Sequence, residues 1–527
     1  MTGMTMHGPT LQMAVNDSLW LDLPMLKEPP QTAVPPSSYV IPVPLKEGSV
    51  LLFQGLTGAI DILSTADYQR FFMAPNGRTI GGGSPRQVGG PVQLGPEQAQ
   101  WYQRGYFLTA KQEGEIVQSI NARLMGEAKE EPMCFFLAPT NHCAVGCNYC
   151  IESDNPKKAK RVSLDPERVA SAFETMKRLQ DECGRKDGYI LLFGGEPMQP
   201  FAMETIKDIL AHCQSSGLKI FCFTSGISLA QFAPVLADHL DVLLGVCVTL
   251  DGEPEFHDGR RTISRGFELA SKGIDQLLAL GVPTMVRTNV LRESFPQIEW
   301  LKEFYESRGW WTNSLCSFEL NILTNHGNFE GQDALCPTHA ETASFFLEKL
   351  RQDPSYSRFR FIGLFSHLYY GAQQLGLLDF HAEELGLHAR VPRIYGCPST
   401  GLFSFTLDAD GSIRMCNEQV GSKDAPVGRY WPYFDLDRKH MSEWEHRTPE
   451  VLDLCRECNH RFYCGGGCSL RSMREEGITQ LGSLHADLNK GICGGLQSDF
   501  QVFFSRYGTE FLEQRQGGTD MKGHRNE

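Results

Sequence analysis

Between residues 133 and 325 the sequence switches repeatedly between short strand-like runs and longer stretches with apolar residues at helical spacing. This alternation limits the possible folds more than any other feature. The strand-like runs are MCFFLAPT, GYILLFGG, KIFCFTSG, DVLLGVCVTL, PTMVRTNVL and SLCSFELNIL. Between them lie DPERVASAFETMKRLQ, AMETIKDILAHCQ and RGFELASKGIDQLLAL, the first opened by the helix-start pair Asp165-Pro166. Strands separated by helices pair in parallel through right-handed crossovers. Six alternations are too few for a closed eight-fold barrel. An α/β fold follows, either an open partial (β/α)6 barrel or a doubly wound sheet.

The flanks read differently. Residues 1–37 are rich in Pro, Thr and Met and are expected to be a mobile tail. Residues 38–128 read as a small module, with strand character in SYVIPVPL and SVLLFQG and helical character in ADYQRFFM, PEQAQWYQRGYFL and GEIVQSINARLM. Residues 129–330 hold the alternating unit and 331–390 a helical connection. Residues 391–505 are cysteine-rich and carry a hairpin turn from Asp408 to Gly411 between SFTL and SIRM. Residues 506–527 read as a second tail.

The formal charge of −14 argues against a nucleic-acid binder, which needs a basic footprint. The first residues lack the basic start and apolar run of a secretory signal. No apolar stretch approaches the ~20 residues of a membrane helix. A cytoplasmic enzyme with no membrane partner is expected. In that setting 17 cysteines, many two to five residues apart, point to metal ligation rather than to disulfides.

Cys143, Cys147 and Cys150 stand in NHCAVGCNYC, directly after a strand-like run. Three thiolates in one loop can hold three irons of a 4Fe–4S cube and leave the fourth open. Loops at the carboxyl ends of parallel strands are where such sheets bind ligands. The C-x3-C-x2-C spacing, with aromatic Tyr149 before the last cysteine, resembles the signature of the radical S-adenosylmethionine family. The resemblance implies that the open iron chelates the methionine of S-adenosylmethionine. The cluster then cleaves the sulfonium reductively, and a 5′-deoxyadenosyl radical takes a hydrogen from the substrate.

Further segments fit the same family in order. Gly194-Gly195-Glu196-Pro197, after the second strand, resembles the segment that binds the methionine amino group. VTLDGEPEFHDGRR, with Thr249, Asp251, Gly252, His257, Asp258 and Arg261, resembles the family segment whose strand-end hydroxyl and arginine meet the ribose and carboxylate. His257 and Asp258 read as loop caps rather than catalytic groups. Ser225 in FTSG and Asn289 in RTNV sit at strand ends and are weaker candidate contacts.

A second array comprises Cys397, Cys416, Cys455, Cys458, Cys464, Cys468 and Cys493. Its spacing resembles the SPASM domains of radical peptide maturases; zinc knuckles are the alternative. The resemblance implies an outer cluster on Cys455, Cys458, Cys464 and Cys493 and an inner one on Cys397, Cys416 and Cys468. Three 4Fe–4S clusters in all are expected, the inner one short of a ligand, with Cys336 as a candidate for it.

Many radical enzymes acting on ribosomal peptides carry a winged-helix module that adds an extended leader peptide as a strand. Residues 38–128 have the size and content for such a module, and GLTGAIDILSTADY resembles its start. The expected activity is a radical oxidoreductase forming a thioether, carbon–carbon or related crosslink in a precursor peptide or protein. Its electrons would come from a donor such as flavodoxin or ferredoxin. Formylglycine formation, as in anaerobic sulfatase maturases, is the alternative enzyme; a zinc-stabilised adaptor is the non-enzyme one.

Overall fold

The computed structural model describes residues 26, 30–46, 48–73, 90–152, 160–324, 333–362, 368, 372, 392–401, 403–445, 447–456, 458–475 and 490–523. Its first sheet is antiparallel: β1 (Val40–Pro44), β2 (Ser49–Gln54) and β3 (Ile60–Ser64), with Val43 opposite Leu51 and Leu51 opposite Ile62. The helix expected at 66–73 is α1 (Thr65–Phe72), whose first turn is capped by Ser64. α2 (Ala99–Gln103) and α3 (Ala110–Glu130) complete this part. α3 is long because Thr109 and Gln112 close a reciprocal capping box at its start, and because Ile116, Val117, Ile120 and Leu124 recur at helical spacing. Residues 30–37 fall in the stretch read as a tail, yet they pair. Val34 and Val92 exchange backbone hydrogen bonds, and Pro36 bridges Phe107 between the bonds Ser37 N to Tyr106 O and Leu108 N to Pro35 O.

The large sheet starts with β4 (Met133–Leu137). Then follow α4 (Pro166–Glu182), β5 (Gly188–Leu192), α5 (Met203–Ser216), β6 (Lys219–Thr224), α6 (Leu229–Ala237), β7 (Leu243–Thr249), α7 (Pro254–Arg261), α8 (Gly266–Ala279), β8 (Thr284–Val290), α9 (Phe295–Ser307) and β9 (Cys316–Ile322). All six expected strands are present, and each pairs in parallel with the next. Asp165 caps α4 by accepting from the Arg168 amide at 2.9 Å, as the Asp-Pro pair predicts.

The stretch 331–390 departs from expectation. It holds α10 (His339–Gln352), but also β10 (Phe359–Ile362), a seventh parallel strand beside β9. Phe359 and Phe361 alternate onto the register of Phe318 and Leu320, so apolar burial draws this short run to the sheet edge. At the other edge β11 (Ser404–Leu407) pairs in parallel with β4. The expected hairpin turns it into β12 (Ser412–Arg414), and β13 (Gly428–Arg429) and β14 (Asp435–Leu436) follow antiparallel. The cysteine-rich region therefore continues an 11-stranded sheet of order β10-β9-β8-β7-β6-β5-β4-β11-β12-β13-β14.

The strands alternate between two apolar faces, as buried parallel strands do. Met133, Phe135, Ile190, Leu192, Val246 and Phe318 pack under the helices. Cys134, Leu191, Phe221, Cys247 and Met285 point to the other face. The helix Lys490–Gly523 crosses the expected tail boundary at 505. Phe500, Phe503, Phe504 and Tyr507 recur on one stripe and are buried, which fixes it in place. No helix among the described residues is long and apolar enough to cross a membrane.

Candidate cofactor and cluster site

The loop after β4 is tied to α7 by its own backbone. The amides of Gly146 and Asn148 donate to the carbonyls of Arg261 and Arg260 at 3.1 and 2.9 Å. These carbonyls belong to the last turn of α7, which has no helical donors for them. Arg260 lies over the Tyr149 ring at 4.5 Å.

Beneath the loop is a buried polar knot. The Tyr149 hydroxyl donates to Asp251 Oδ2, and Arg261 Nη1 donates to the Tyr149 oxygen at 2.8 Å. Arg261 also stands 3.5 Å from Asp251. The Asn289 amide donates to Asp251 Oδ1 at 3.0 Å, and the Asp251 amide donates to His257 Nδ1 at 3.2 Å. Burial works against the Asp251 charge, but Arg261 above all holds its carboxyl below the usual carboxylate range. Burial pushes the neighbouring His257 imidazole down to about 4, so it stays neutral. His257 is a structural acceptor here, as its sequence context implied.

The Gly194–Pro197 turn closes against the same loop. Gly194 and Gly195 have φ of 90° and 53°. A Cβ on Gly195 would stand 2.5 Å from the His142 carbonyl oxygen, so only glycine lets the two loops touch. The Glu196 amide donates to that carbonyl, and the Gly195 amide donates to Glu152 at 2.7 Å. Burial lifts Glu152 to about 7, against the pull of that amide. The Glu196 carboxylate accepts from Thr224 Oγ1 and from the Ser225 amide, both at 2.6 Å. Pro197 is buried beside it. The Ser225 hydroxyl is buried with no hydrogen-bond partner among the described residues. Thr249 is half-buried at the end of β7. Tyr149, Gly194, Gly195, Glu196, Pro197, Ser225, Thr249, Arg261 and Asn289 thus all lie at or beyond the carboxyl ends of the parallel strands.

Asp251, Arg260, His142 and Glu152 were not singled out as site residues from the sequence. Asp251 had a signal, since it stands inside the LDG segment; the others become visible only when the loops meet. Cys336 packs, as Cys147 does, against the cluster of Tyr149, Leu291 and Leu323, near the three-cysteine loop.

The described C-terminal cysteines fall into two neighbourhoods. Burial pushes the Cys416 thiol well up, and Glu418, Cys468 and Cys397 push it further. Burial lifts Cys464 to about 11, with Cys458 adding to it. Backbone amides reach two sulfurs: His460 N to Cys458 Sγ at 3.4 Å and Arg471 N to Cys468 Sγ at 3.5 Å. Gln497 Nε2 stands 3.7 Å from Cys458 Sγ, on the helix that bears Cys493 one turn earlier. The side chain of Cys493 is outside the described residues.

Among the described residues no three His, Cys, Asp or Glu side chains converge on one metal-ion position. An iron–sulfur cube asks for something else, thiolates on separate iron corners, three of which suffice where the fourth iron is left open. The three-cysteine loop fits that demand. Its thiols are half-buried and sense one another, and burial lifts Cys150 to about 12, with Glu152 and Cys147 adding to it. Irons would reverse that preference and hold the groups as thiolates.

Between the two regions lies a cavity of about 570 Å³. Ile151, next to Cys150, lines one part, and Cys397, Asn417 and Glu418 line another. Aromatic walls come from Phe136, Phe193 and Phe223. Its charged wall includes Arg287, which donates from Nε to the buried Glu319 carboxylate and lies 4.6 Å over Phe223. Sequence reasoning did not single out this pair; its only signal is that each is the one charged residue of its strand.

No protein-family model matches the sequence, and no curated protein matches it. Solved structures are similar in fold. Streptococcus suis SuiB bound to precursor peptide SuiA is 13% identical, covers 86% of this chain and 99% of its own, and has a TM-score of 0.48. SuiB bound to S-adenosylmethionine is 13% identical, with 84% and 97% covered and a TM-score of 0.46. Native anSMEcpe with bound AdoMet and Cp18Cys peptide is 14% identical, with 73% and 99% covered and a TM-score of 0.48. At these scores the likeness carries no residue correspondence.

Proposed function

We propose that this chain is a radical S-adenosylmethionine enzyme that modifies a side chain of a peptide or protein. One observation carries this reading. The Cys143–Cys147–Cys150 loop, the Gly194–Pro197 turn and the Tyr149–Asp251–Arg261 knot, far apart in sequence, close on one another at the carboxyl ends of one sheet. When bound there, an iron–sulfur cluster and S-adenosylmethionine would supply reductive cleavage and a hydrogen-abstracting radical.

Cys143, Cys147 and Cys150 would hold the cluster. Gly194 and Gly195 let their turn close on the cysteine loop, where it would meet the methionine end of the cofactor. Arg261 is held charged and oriented by Asp251 and Tyr149. The apolar cavity would exclude water from a reactive intermediate and admit a side chain. Its reach from the loop to Cys397 supports substrate contact with both cysteine regions. Cys455, Cys458, Cys464 and Cys493 would hold an outer cluster, and Cys397, Cys416 and Cys468 an inner one. The modification we favour is a thioether, carbon–carbon or related crosslink, with residues 38–128 taking up a leader segment. Flavodoxin or ferredoxin would supply the electron.

The test is anaerobic reconstitution of the full chain with iron and sulfide, followed by reduction in the presence of S-adenosylmethionine. Release of 5′-deoxyadenosine, lost on replacing the three loop cysteines, is the expected result. Stoichiometric zinc without iron would defeat the reading.

A further inference from the structure

We propose that Arg287 and Glu319 are a substrate-binding pair that takes a neutral amide of the substrate into the cavity between the two cysteine regions. The inference rests on the peptide-modifying reading above and deepens it by naming the chemical class the cavity selects.

The pair belongs to a polar strip set by strand register. On β8 and β9, Arg287 stands opposite Glu319, and Asn289 stands opposite Asn321. Side chains two residues apart share one face of a strand. Met285, two residues before Arg287, packs with Cys134 and Leu191, which line the cavity, so both pairs project from the cavity face. The asparagine pair joins the cofactor knot. Asn321 Nδ2 donates to Asn289 Oδ1 at 2.9 Å, and Asn289 Nδ2 donates to the Tyr149 hydroxyl at 3.4 Å. The Arg287–Glu319 pair lies two residues deeper along the strands, ~7 Å below the knot.

This ion pair is not closed on itself. Arg287 Nε donates to Glu319 Oε1, and the guanidinium lies 4.6 Å over the Phe223 ring. The two side chains are 17% and 3% exposed, and both line the cavity. Among the described residues the terminal nitrogens of Arg287 donate to nothing, and Glu319 Oε2 accepts from nothing. Groups so far withdrawn from water are as a rule hydrogen-bonded. Arg360, opposite Glu319 on β10, is not part of the cavity wall. An occupant of this strip therefore meets one cation with spare donors beside one anion with a spare acceptor.

That combination selects by charge. A carboxylate would set a second anion against Glu319, and an ammonium a second cation against Arg287, in a cavity whose aromatic walls screen neither. A primary amide adds no charge. Its oxygen accepts from Arg287 and its NH2 donates to Glu319. In a peptide this chemistry belongs to an Asn or Gln side chain or to the backbone amide. Anchoring it below the knot would hold the substrate under the cofactor.

The experiment is equilibrium dialysis of the reconstituted full chain against 3-phenylpropanamide, its acid, 3-phenylpropylamine and 4-phenylbutan-2-one, in which a methyl replaces the NH2. The parent should hold the amide about tenfold more tightly than each of the others. Glu319→Gln should move the preference about tenfold toward the acid, and Arg287→Met toward the amine. Replacing a buried pair by apolar residues is the change a fold tolerates best, so Arg287→Met with Glu319→Met is the safeguard against misfolding. It should hold amide and ketone alike. N-methyl-3-phenylpropanamide separates the two sources: equal retention assigns the site to a backbone amide, and loss assigns it to Asn or Gln. A parent that prefers the acid or the amine, or does not separate amide from ketone, overturns the inference, as does an amide preference that survives in the double variant. Release of 5′-deoxyadenosine by that same parent would leave the radical reading standing. A parent that takes up no iron overturns the reading and the inference together.

Discussion

Arg261 Nη1 donates to the Tyr149 hydroxyl at 2.8 Å, joining residues 112 positions apart in the chain. The bond links the aromatic of the three-cysteine loop to the last turn of α7. Through Asp251 it reaches β8 as well. This hydrogen-bonded knot positions three segments that the cofactor would have to meet together.

Replacing Cys143, Cys147 and Cys150 with Ala should abolish release of 5′-deoxyadenosine. About two-thirds of the iron should remain if all three sites hold four irons each. Iron analysis alongside chromatography of the reaction checks this, and persistent cleavage would sink the assignment.

Gly195→Ala should damage the same site without touching a cysteine. The new Cβ meets the His142 and Thr140 carbonyl oxygens at 2.5 and 2.9 Å, and φ there is 53°. A cost of ~1–3 kcal/mol follows from backbone strain alone. Cofactor binding, measured by calorimetry, should weaken while C-terminal iron is kept. Wild-type affinity would refute the close-approach argument.

Stability should fall on acidification partly through His257. Its folded pKa is about 4, depressed chiefly by burial. An unfolded histidine takes up its proton near ~6.5. Between these values the unfolded chain binds a proton that the folded chain does not, so stability is lost as pH falls through that window. At pH 5 the loss from this group is about 2 kcal/mol. His257→Gln, which keeps an acceptor for the Asp251 amide, should lose less thermal stability between pH 7 and 5 than the parent. Equal losses would contradict this origin.

Cys336→Ala should leave the C-terminal clusters' spectra as they are, because Cys336 packs against the cluster of Tyr149, Leu291 and Leu323. Any effect should appear in the signal of the loop cluster. A changed spectrum in the chain already lacking Cys143, Cys147 and Cys150 would place it with the C-terminal array after all.

Deleting residues 39–125 should do more than remove a peptide-binding module. Phe53 of β2 packs on Tyr463, Phe500 and Phe504, and Gln501 Nε2 donates to the Pro42 carbonyl at 3.0 Å. The deletion would strip these aromatics of their cover, at roughly 1.5–3 kcal/mol for each buried apolar side chain. Loss of C-terminal iron in the deletion variant is the expected result. A variant that keeps all its iron would show the two regions to be separable.

The local elements were legible because their signals are local. Asp165-Pro166 announces α4, alternation announces β4 to β9, and Asp408 to Gly411 announces the β11–β12 hairpin. Cysteine spacing likewise marks the candidate ligands, since one short loop can bring three thiols together by itself. β10 escaped notice because four residues give too few periods to register, and its burial against β9 supplies the rest.

What the chain order alone determined was the alternating α/β plan, the three-cysteine loop and the existence of a second cysteine array. Only the tertiary structure decided which segments meet. It set β11 against β4, packed Cys336 against the cluster of Tyr149, Leu291 and Leu323, and laid the Gly396 backbone on the Gly467 carbonyl. The physical reason is that spacing encodes contacts within a few residues. Contacts between distant segments depend on which buried faces and unpaired polar groups find each other when the sheet closes its two cores.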